Sequence, residues 1–169
     1  MKTEDIWIGL LASHLEIQGV VGSWLEAEWP DWYGPGGEGD IEADLAAYSQ
    51  PDSLPVGLIA FAGETPCGFM ALKSDPIAEH EDCSPWVGAG FVVPHLRGRG
   101  IGGRLLEASE VEAKKRGHAQ LYCGTVRAET LLQRSGWRQL STACHDGEAV
   151  HQGEERRGRA HDLTSFSQE

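Results

Sequence analysis

The sequence lacks the features that mark membrane, secreted and disulfide-rich proteins. It contains no apolar run near the ~20 residues that a membrane-spanning helix needs, and its opening letters, MKTED, lack the apolar core of a secretion signal. We therefore expect a cytoplasmic protein. Its four cysteines stand far apart and form no Cys-x-x-Cys pair, which predicts reduced, mostly buried thiols rather than a disulfide framework.

Positive charge is also scarce. The 169 residues include 14 Lys and Arg against 26 Asp and Glu, a formal net charge of −12 with His counted as neutral. Nucleic acids and anionic membranes are bound by clustered positive charge, so we expect neither as a partner. The balance weakly favours neutral or cationic partners.

Metal-ligand residue types come together in the cluster His80-Glu81-Asp82-Cys83. Adjacent residues in a loop rarely direct their side chains at one ion. A solvated acidic loop is therefore the better interpretation, and we expect no metal site.

Length and apolar periodicity predict a single domain of the α/β or α+β class, with strands of mixed direction. Helices are predicted over 6–29 (as one or two amphipathic segments), 41–48, 101–116 and 128–135. Strands are predicted over 56–61 and 67–72, joined as a hairpin, and over 86–93, 119–123 and 137–142. The domain is expected to span residues 1–150. Residues 151–169 show neither a helical nor a strand pattern and are expected to form a polar tail that could be flexible.

The most informative segment is the turn RGRGIGGR, from Arg97 to Arg104, between a predicted buried strand and a predicted helix. Glycines let a ligand approach backbone N–H groups closely, and a helix amino terminus attracts anions. Arg97, Arg99 and Arg104 stand at this end although the helix dipole disfavours cations there. In an acidic chain this placement indicates a phosphate or pyrophosphate site rather than a turn with solvated arginines.

Three phosphate-binding patterns compete for this turn. Gly98-x-Gly100-x-x-Gly103 satisfies the dinucleotide fingerprint, but the acidic residue that should follow about 20 positions later is missing. Gly98 and Gly103 have the spacing of the P-loop glycines, but the Lys-Ser/Thr pair that should follow them is missing. The remaining pattern, Arg97-x-x-Gly100-x-Gly102, resembles the acetyl-CoA loop of the GNAT superfamily of N-acetyltransferases. The resemblance continues in family order from residue 56 to 150, through FVVPHLRGRGIG and LLQRSGW.

The resemblance implies a mixed, mostly antiparallel central sheet, splayed to admit CoA and flanked by helices, with acetyl-CoA as co-substrate. It also implies that the backbone of residues 91–93 pairs with the pantetheine arm and that an amide there polarises the thioester carbonyl. Gly88 and Gly90 leave room on this strand for a ligand, a bulge or a close helix. The implied cofactor-binding residues are Phe91, Val92, Val93, Arg97, Gly98, Arg99, Gly100, Ile101, Gly102, Gly103 and Arg104.

The implied reaction is attack of a neutral primary amine on the thioester, which needs a proton acceptor and a proton donor. The sequence departs from the family at both positions. Leu132 stands where members often carry a Tyr acid, and the predicted strand 86–93 has no carboxylate. Glu81 and Asp82 are candidates for the base and Tyr122 for the acid. Each has a simpler interpretation, as a solvated loop carboxylate or a packed strand aromatic.

We therefore expect an N-acetyltransferase that acts without metal on a primary amine of a small molecule or peptide. A cationic amine is favoured, because an acidic entrance could form from two loops, and an aromatic wall from Trp24, Trp29, Trp32 and Tyr33. The acidic residues of the two loops are Glu38, Asp40, Glu42 and Asp44, with Glu79, Glu81 and Asp82. The alternatives are a non-catalytic acyl-CoA-binding or sensor domain of the same fold, and a nucleotide-binding module. Family resemblance also makes a homodimer an open possibility.

Overall fold

The structure is a computed structural model that describes residues 5–74, 84–125, 129–145, 148–156, 159–161 and 165–166. The strands are β1 (Ile6–Leu10), β2 (Val56–Ala62), β3 (Thr65–Lys73), β4 (Trp86–Val92), β5 (Gln120–Thr125), β6 (Arg138–His145), β7 (Glu148–Arg156), β8 (Arg159–His161) and β9 (Ser165–Phe166). The α-helices are α1 (Gln18–Glu28), α2 (Pro30–Tyr33), α3 (Ile41–Tyr48), α4 (Ile101–Lys115) and α5 (Glu129–Arg134).

The chain divides into two compact units. One contains the segment up to Ala71 and the segment Ala89–Leu105; the other contains Leu72–Gly88 and Leu106–Ser167. In the first unit the strand order is β1-β2-β3-β4, with β1 antiparallel to β2. Helix α1 buries Val21 and Leu25 completely, and they belong to the same core as Ile59 and Phe69.

The segment Ile6–Leu10 is a strand, so the predicted helix over 6–29 is wrong in its first part. Ile6 is buried and Trp7 is 42% exposed, as alternate residues of a strand are. Trp7 stands opposite Phe61 in the β1–β2 register, and the two rings stack with centroids 4.2 Å apart. Five residues are too few to separate strand from helix periodicity, and cross-strand pairing decides the outcome here. The helix begins at Gln18.

The other predicted elements are confirmed, with boundaries that shift by at most three residues. Helix α3 begins as its sequence suggests, because the Asp40 carboxylate accepts a hydrogen bond of 3.0 Å from the Ala43 N–H and caps the helix. The predicted loop after Trp29 contains one helical turn, α2, which starts at Pro30.

In the second unit, its part of β4 pairs with β5, β5 pairs with β7, and β7 pairs with β6. Trp86 stands opposite Tyr122 in the parallel β4–β5 pair, and β7 is antiparallel to both β5 and β6. The chain therefore has the mixed, mostly antiparallel sheet with flanking helices that the sequence predicts. Strand β7 runs through Val150, the predicted end of the domain, to Arg156. Backbone pairing carries a strand through this polar segment without an apolar pattern.

Cys67 and Cys123 are free and buried, as predicted, and burial raises the pKa of the Cys67 thiol. Cys83 lies outside the described residues, as does the whole cluster 80–83. Within the described ranges, no three His, Cys, Asp or Glu side chains are grouped so that they could hold a metal ion. No helix in those ranges is both long and apolar enough to cross a bilayer.

Candidate functional site

Strand β4 has one residue in the left-handed region of backbone conformation, Ala89, and we call this irregularity the kink. This residue has φ +53° although it is fully buried, and it stands between Gly88 and Gly90. A non-glycine residue in the left-handed region costs about 1–2 kcal/mol, so the surrounding packing must enforce it. The positive φ makes the backbone of the strand locally irregular at this residue. The strain itself falls on the alanine, which no sequence signal identified.

Beyond the kink, the peptide groups of β4 point to alternate sides. The Val93 N–H donates to the Cys67 carbonyl of β3 at 2.9 Å, and a Cβ on Gly68 of β3 would lie 3.0 Å from the Phe91 carbonyl oxygen. The backbone groups of Phe91 and Val93 therefore point toward β3. Because successive residues of a strand direct their backbone groups to opposite sides, the N–H and carbonyl groups of Gly90 and Val92 point to the edge of β4 away from β3. Within the predicted pantetheine-pairing segment, Val92 is thus the residue that offers its N–H to that edge.

The Arg97 side chain folds back onto the end of β4. Its Nε donates to the Val92 carbonyl at 2.8 Å, and its guanidinium carbon lies 5.6 Å from the centroid of the Phe91 ring. Its Nη2 lies 3.7 Å from Oε2 of Glu28 on α1. The guanidinium is thus bonded to the strand end and partly neutralised by a carboxylate, although the side chain is 50% exposed.

Trp24 completes this cluster on α1. Its ring stacks on Phe91 with centroids 5.2 Å apart and an interplanar angle of 27°. Trp24 is partly buried, whereas Trp29 is 6% exposed and belongs to the core, so only the former could contribute to an accessible aromatic wall. Sequence reasoning missed Glu28. Its position four residues after Trp24 places both on one helix face, which is the signal that could have found it.

The turn between β4 and α4 contains two glycines in the left-handed region of backbone conformation. Gly98 and Gly100 have φ +75° and +81°, and a Cβ on either would meet nothing within 4 Å. Glycine is required at both positions because of the backbone conformation, and not because a side chain would lack space. Helix α4 starts at Ile101, and its first N–H groups have no acceptor within the helix. The buried Ile101 side chain anchors this end, while Arg99 is exposed.

The predicted proton-transfer residues have different placements. Glu81 and Asp82 lie outside the described residues. Tyr122 lies in the second unit, 5% exposed; its hydroxyl donates to Oε1 of Gln120 at 2.7 Å, and its ring packs against Trp86. Leu132 is 1% exposed. The roles of the two carboxylates and of Tyr122 stay predictions.

Of the seven carboxylates predicted to line an acidic entrance, Glu79, Glu81 and Asp82 lie outside the described residues, and two others have structural partners. Asp40 caps α3, and Asp44 accepts a hydrogen bond of 2.7 Å from the Tyr33 hydroxyl. Burial, and then this bond, raise the pKa of Tyr33 well above its ordinary value. Glu38 and Glu42 are exposed and remain accessible to a cationic ligand.

Comparison with known proteins gives a family match over most of the chain. Residues 21–136 match the sequence profile of the acetyltransferase (GNAT) family. No curated protein matches the sequence.

Solved structures show the same fold. The chain is similar to an aminoglycoside 6′-N-acetyltransferase complexed with coenzyme A, at 13% identity over 86% of this chain and 94% of the other, with a TM-score of 0.68. It is similar to the PaiA N-acetyltransferase of Thermoplasma acidophilum in complex with coenzyme A, at 19% identity over 89% and 99% of the two chains, with a TM-score of 0.57. An acetyltransferase from Streptococcus agalactiae matches at 15% identity over 90% and 99%, with a TM-score of 0.62.

Proposed function

The chain belongs to the acetyltransferase (GNAT) family, and on that premise we propose that it transfers the acetyl group of acetyl-CoA to a primary amine of a small molecule or peptide. The observation that carries the proposal is the junction from β4 to α4. A strand kinked at Ala89 leads through the positive φ angles of Gly98 and Gly100 into the exposed start of a helix. Such a junction presents converging N–H groups to an anion.

The donor binds mainly through the backbone in this proposal. The amides from Gly98 to Gly103 contact the pyrophosphate, where the helix dipole also favours negative charge. Arg99, which is exposed, adds a positive charge. Gly90, through its N–H and carbonyl, and Val92, through its N–H, pair with the pantetheine arm along the edge of β4 that faces away from β3, as an added strand would use them.

The chemistry is a direct transfer. The neutral amine nitrogen forms a bond to the acetyl carbon, the carbon–sulfur bond breaks, and CoA leaves as a thiolate that takes up a proton. A backbone amide near the kink stabilises the oxyanion of the thioester carbonyl. We assign the proton acceptor to Glu81 or Asp82 and the proton donor to Tyr122.

Two points support a cationic amine as acceptor. Glu38 and Glu42 are exposed in a chain with a net charge of −12, and a cation is attracted to such a surface. One structural neighbour is an acetyltransferase of aminoglycosides.

A second candidate function is acyl-CoA sensing without catalysis, which the buried Leu132 favours because the family often has a Tyr acid there. Release of the CoA thiol from acetyl-CoA distinguishes the two, measured with monoamines, polyamines and peptides with free amino termini. Amine-dependent release supports the transferase. Saturable binding of acetyl-CoA in calorimetry without release from any amine supports the sensor. Thermal stabilisation by NAD or ATP but not by CoA contradicts both and supports a nucleotide-binding module.

A further inference from the structure

We infer that Arg97 is a positioning residue: it fixes the last peptide group of β4 and ends the stretch of strand edge with which the acetyl donor pairs. The inference rests on the proposed function, because it concerns how the proposed donor is held. It assigns Arg97 a different role from the pyrophosphate contact that its place in the loop motif suggests.

The peptide group between Val92 and Val93 is held at both ends. Its N–H donates to the Cys67 carbonyl at 2.9 Å, and its carbonyl accepts from Arg97 Nε at 2.8 Å. The N–H and C=O of a trans peptide point in opposite directions. The Arg97 side chain therefore lies at the edge of β4 away from β3 and occupies the Val92 carbonyl there.

This bond defines which groups of the edge a ligand can use. An extended ligand pairs with a strand through alternating donors and acceptors. With the Val92 carbonyl bound to Arg97, the Gly90 peptide groups and the Val92 N–H remain to serve the donor. A pantetheine arm that follows β4 must leave the strand at Val92, just before the turn that contains Gly98 and Gly100. Arg97 thus sets the register of the donor.

The guanidinium is itself held from the α1 side. Glu28 Oε2 lies 3.7 Å from its Nη2, and the Phe91 ring under the guanidinium is stacked on Trp24. A side chain with a carboxylate, an aromatic face and a carbonyl around it has little freedom to turn toward a phosphate. Its charge is also partly neutralised by Glu28. Arg99 is exposed and is the better source of positive charge for the pyrophosphate.

The variant Arg97→Lys distinguishes the positioning role from a contact with the pyrophosphate. Lysine keeps the charge but lacks the planar Nε donor that fits the Val92 carbonyl. Steady-state kinetics would compare acetyl-CoA with S-acetylpantetheine, which lacks the pyrophosphate and the nucleotide. We expect kcat/KM to fall about tenfold with both donors, because a charge-assisted hydrogen bond is lost at a site common to the two. The matched control is Arg99→Gln, which should lower kcat/KM with acetyl-CoA and leave S-acetylpantetheine unaffected.

Two results would overturn the inference. One is an Arg97→Lys enzyme as active as wild type with both donors; the other is a loss confined to acetyl-CoA, as in Arg99→Gln. If Arg97→Lys fails to fold, Glu28→Gln is the variant to measure, because it leaves the hydrogen bond from Nε but removes the carboxylate that holds the guanidinium. A fall in kcat/KM of about twofold to threefold with both donors supports the positioning role. A fall with acetyl-CoA alone refutes it. A wild-type protein that neither binds CoA in calorimetry nor releases thiol refutes the proposed function, and the inference with it.

Discussion

Gly100→Glu tests the proposed pyrophosphate site most directly. Gly100 has φ +81° and open space around the position of a Cβ. A side chain there meets no clash, and the substitution should reduce the free energy of unfolding by only about 1 kcal/mol, the cost of the left-handed conformation. The effect on binding should be larger. A carboxylate about 6 Å from a phosphate charge is repelled by roughly 3 kcal/mol at an effective dielectric constant of 20. That repulsion corresponds to a loss of about 100-fold in affinity for CoA.

Gly100→Gln is the matched control, because it introduces the same backbone strain and nearly the same volume without charge. Isothermal titration calorimetry with CoA at low and at high salt measures both variants. We expect Gly100→Glu to bind much more weakly than Gly100→Gln, with a difference that shrinks as salt screens the repulsion. Equal affinities of the two variants at low salt would refute the placement of the pyrophosphate at this turn.

Three further substitutions probe the first unit by urea unfolding. Ala89→Val should reduce the free energy of unfolding by more than about 2 kcal/mol, since a β-branched side chain must be placed in a buried, left-handed position; an unchanged midpoint would contradict the strain described there. Asp40→Ala should cost about 1 kcal/mol through loss of the α3 cap, whereas Asp40→Asn should keep most of it. Tyr33→Phe should cost about 1.5 kcal/mol at neutral pH because Asp44 loses its donor. Burial raises the pKa of Tyr33 and of Tyr48 in the folded state, so their contribution is complete below the unfolded pKa of about 10 and is lost as the pH rises above it. Tyr33→Phe should therefore flatten the decline of stability in alkali, and a decline identical to that of wild type would count against this account.

Much of the fold could be predicted because its elements have strong local signals. The β2–β3 hairpin is two apolar runs around Gly63, which takes φ +61°, and α4 ends where Gly117 takes φ +85°. The exceptions are β1, whose apolar spacing also fits a helix, and the later part of β7, which is polar. Both are formed by pairing with a neighbouring strand, and that information is not local in the sequence.

The candidate site also has a part that the sequence predicts and a part that it does not. Residue types and spacing predict a glycine turn before a helix, where backbone N–H groups can be approached closely by a ligand. They do not predict where a long side chain points. Arg97 fits the motif, yet its guanidinium contacts Val92, Phe91 and Glu28. Glu28 lies far from Arg97 in the sequence, so no local pattern predicts that contact.

The left-handed conformation of Ala89 has a consequence for kinetics. Because Ala89 is buried and its neighbours in the core hold it there, the irregular strand is complete once the chain has folded. In the proposed mode of binding, the donor pairs with an edge that is already formed, so the ordering entropy of this segment is absent from the binding step. Association should follow a single exponential whose rate rises linearly with donor concentration, without the plateau that a slow rearrangement of the strand would impose.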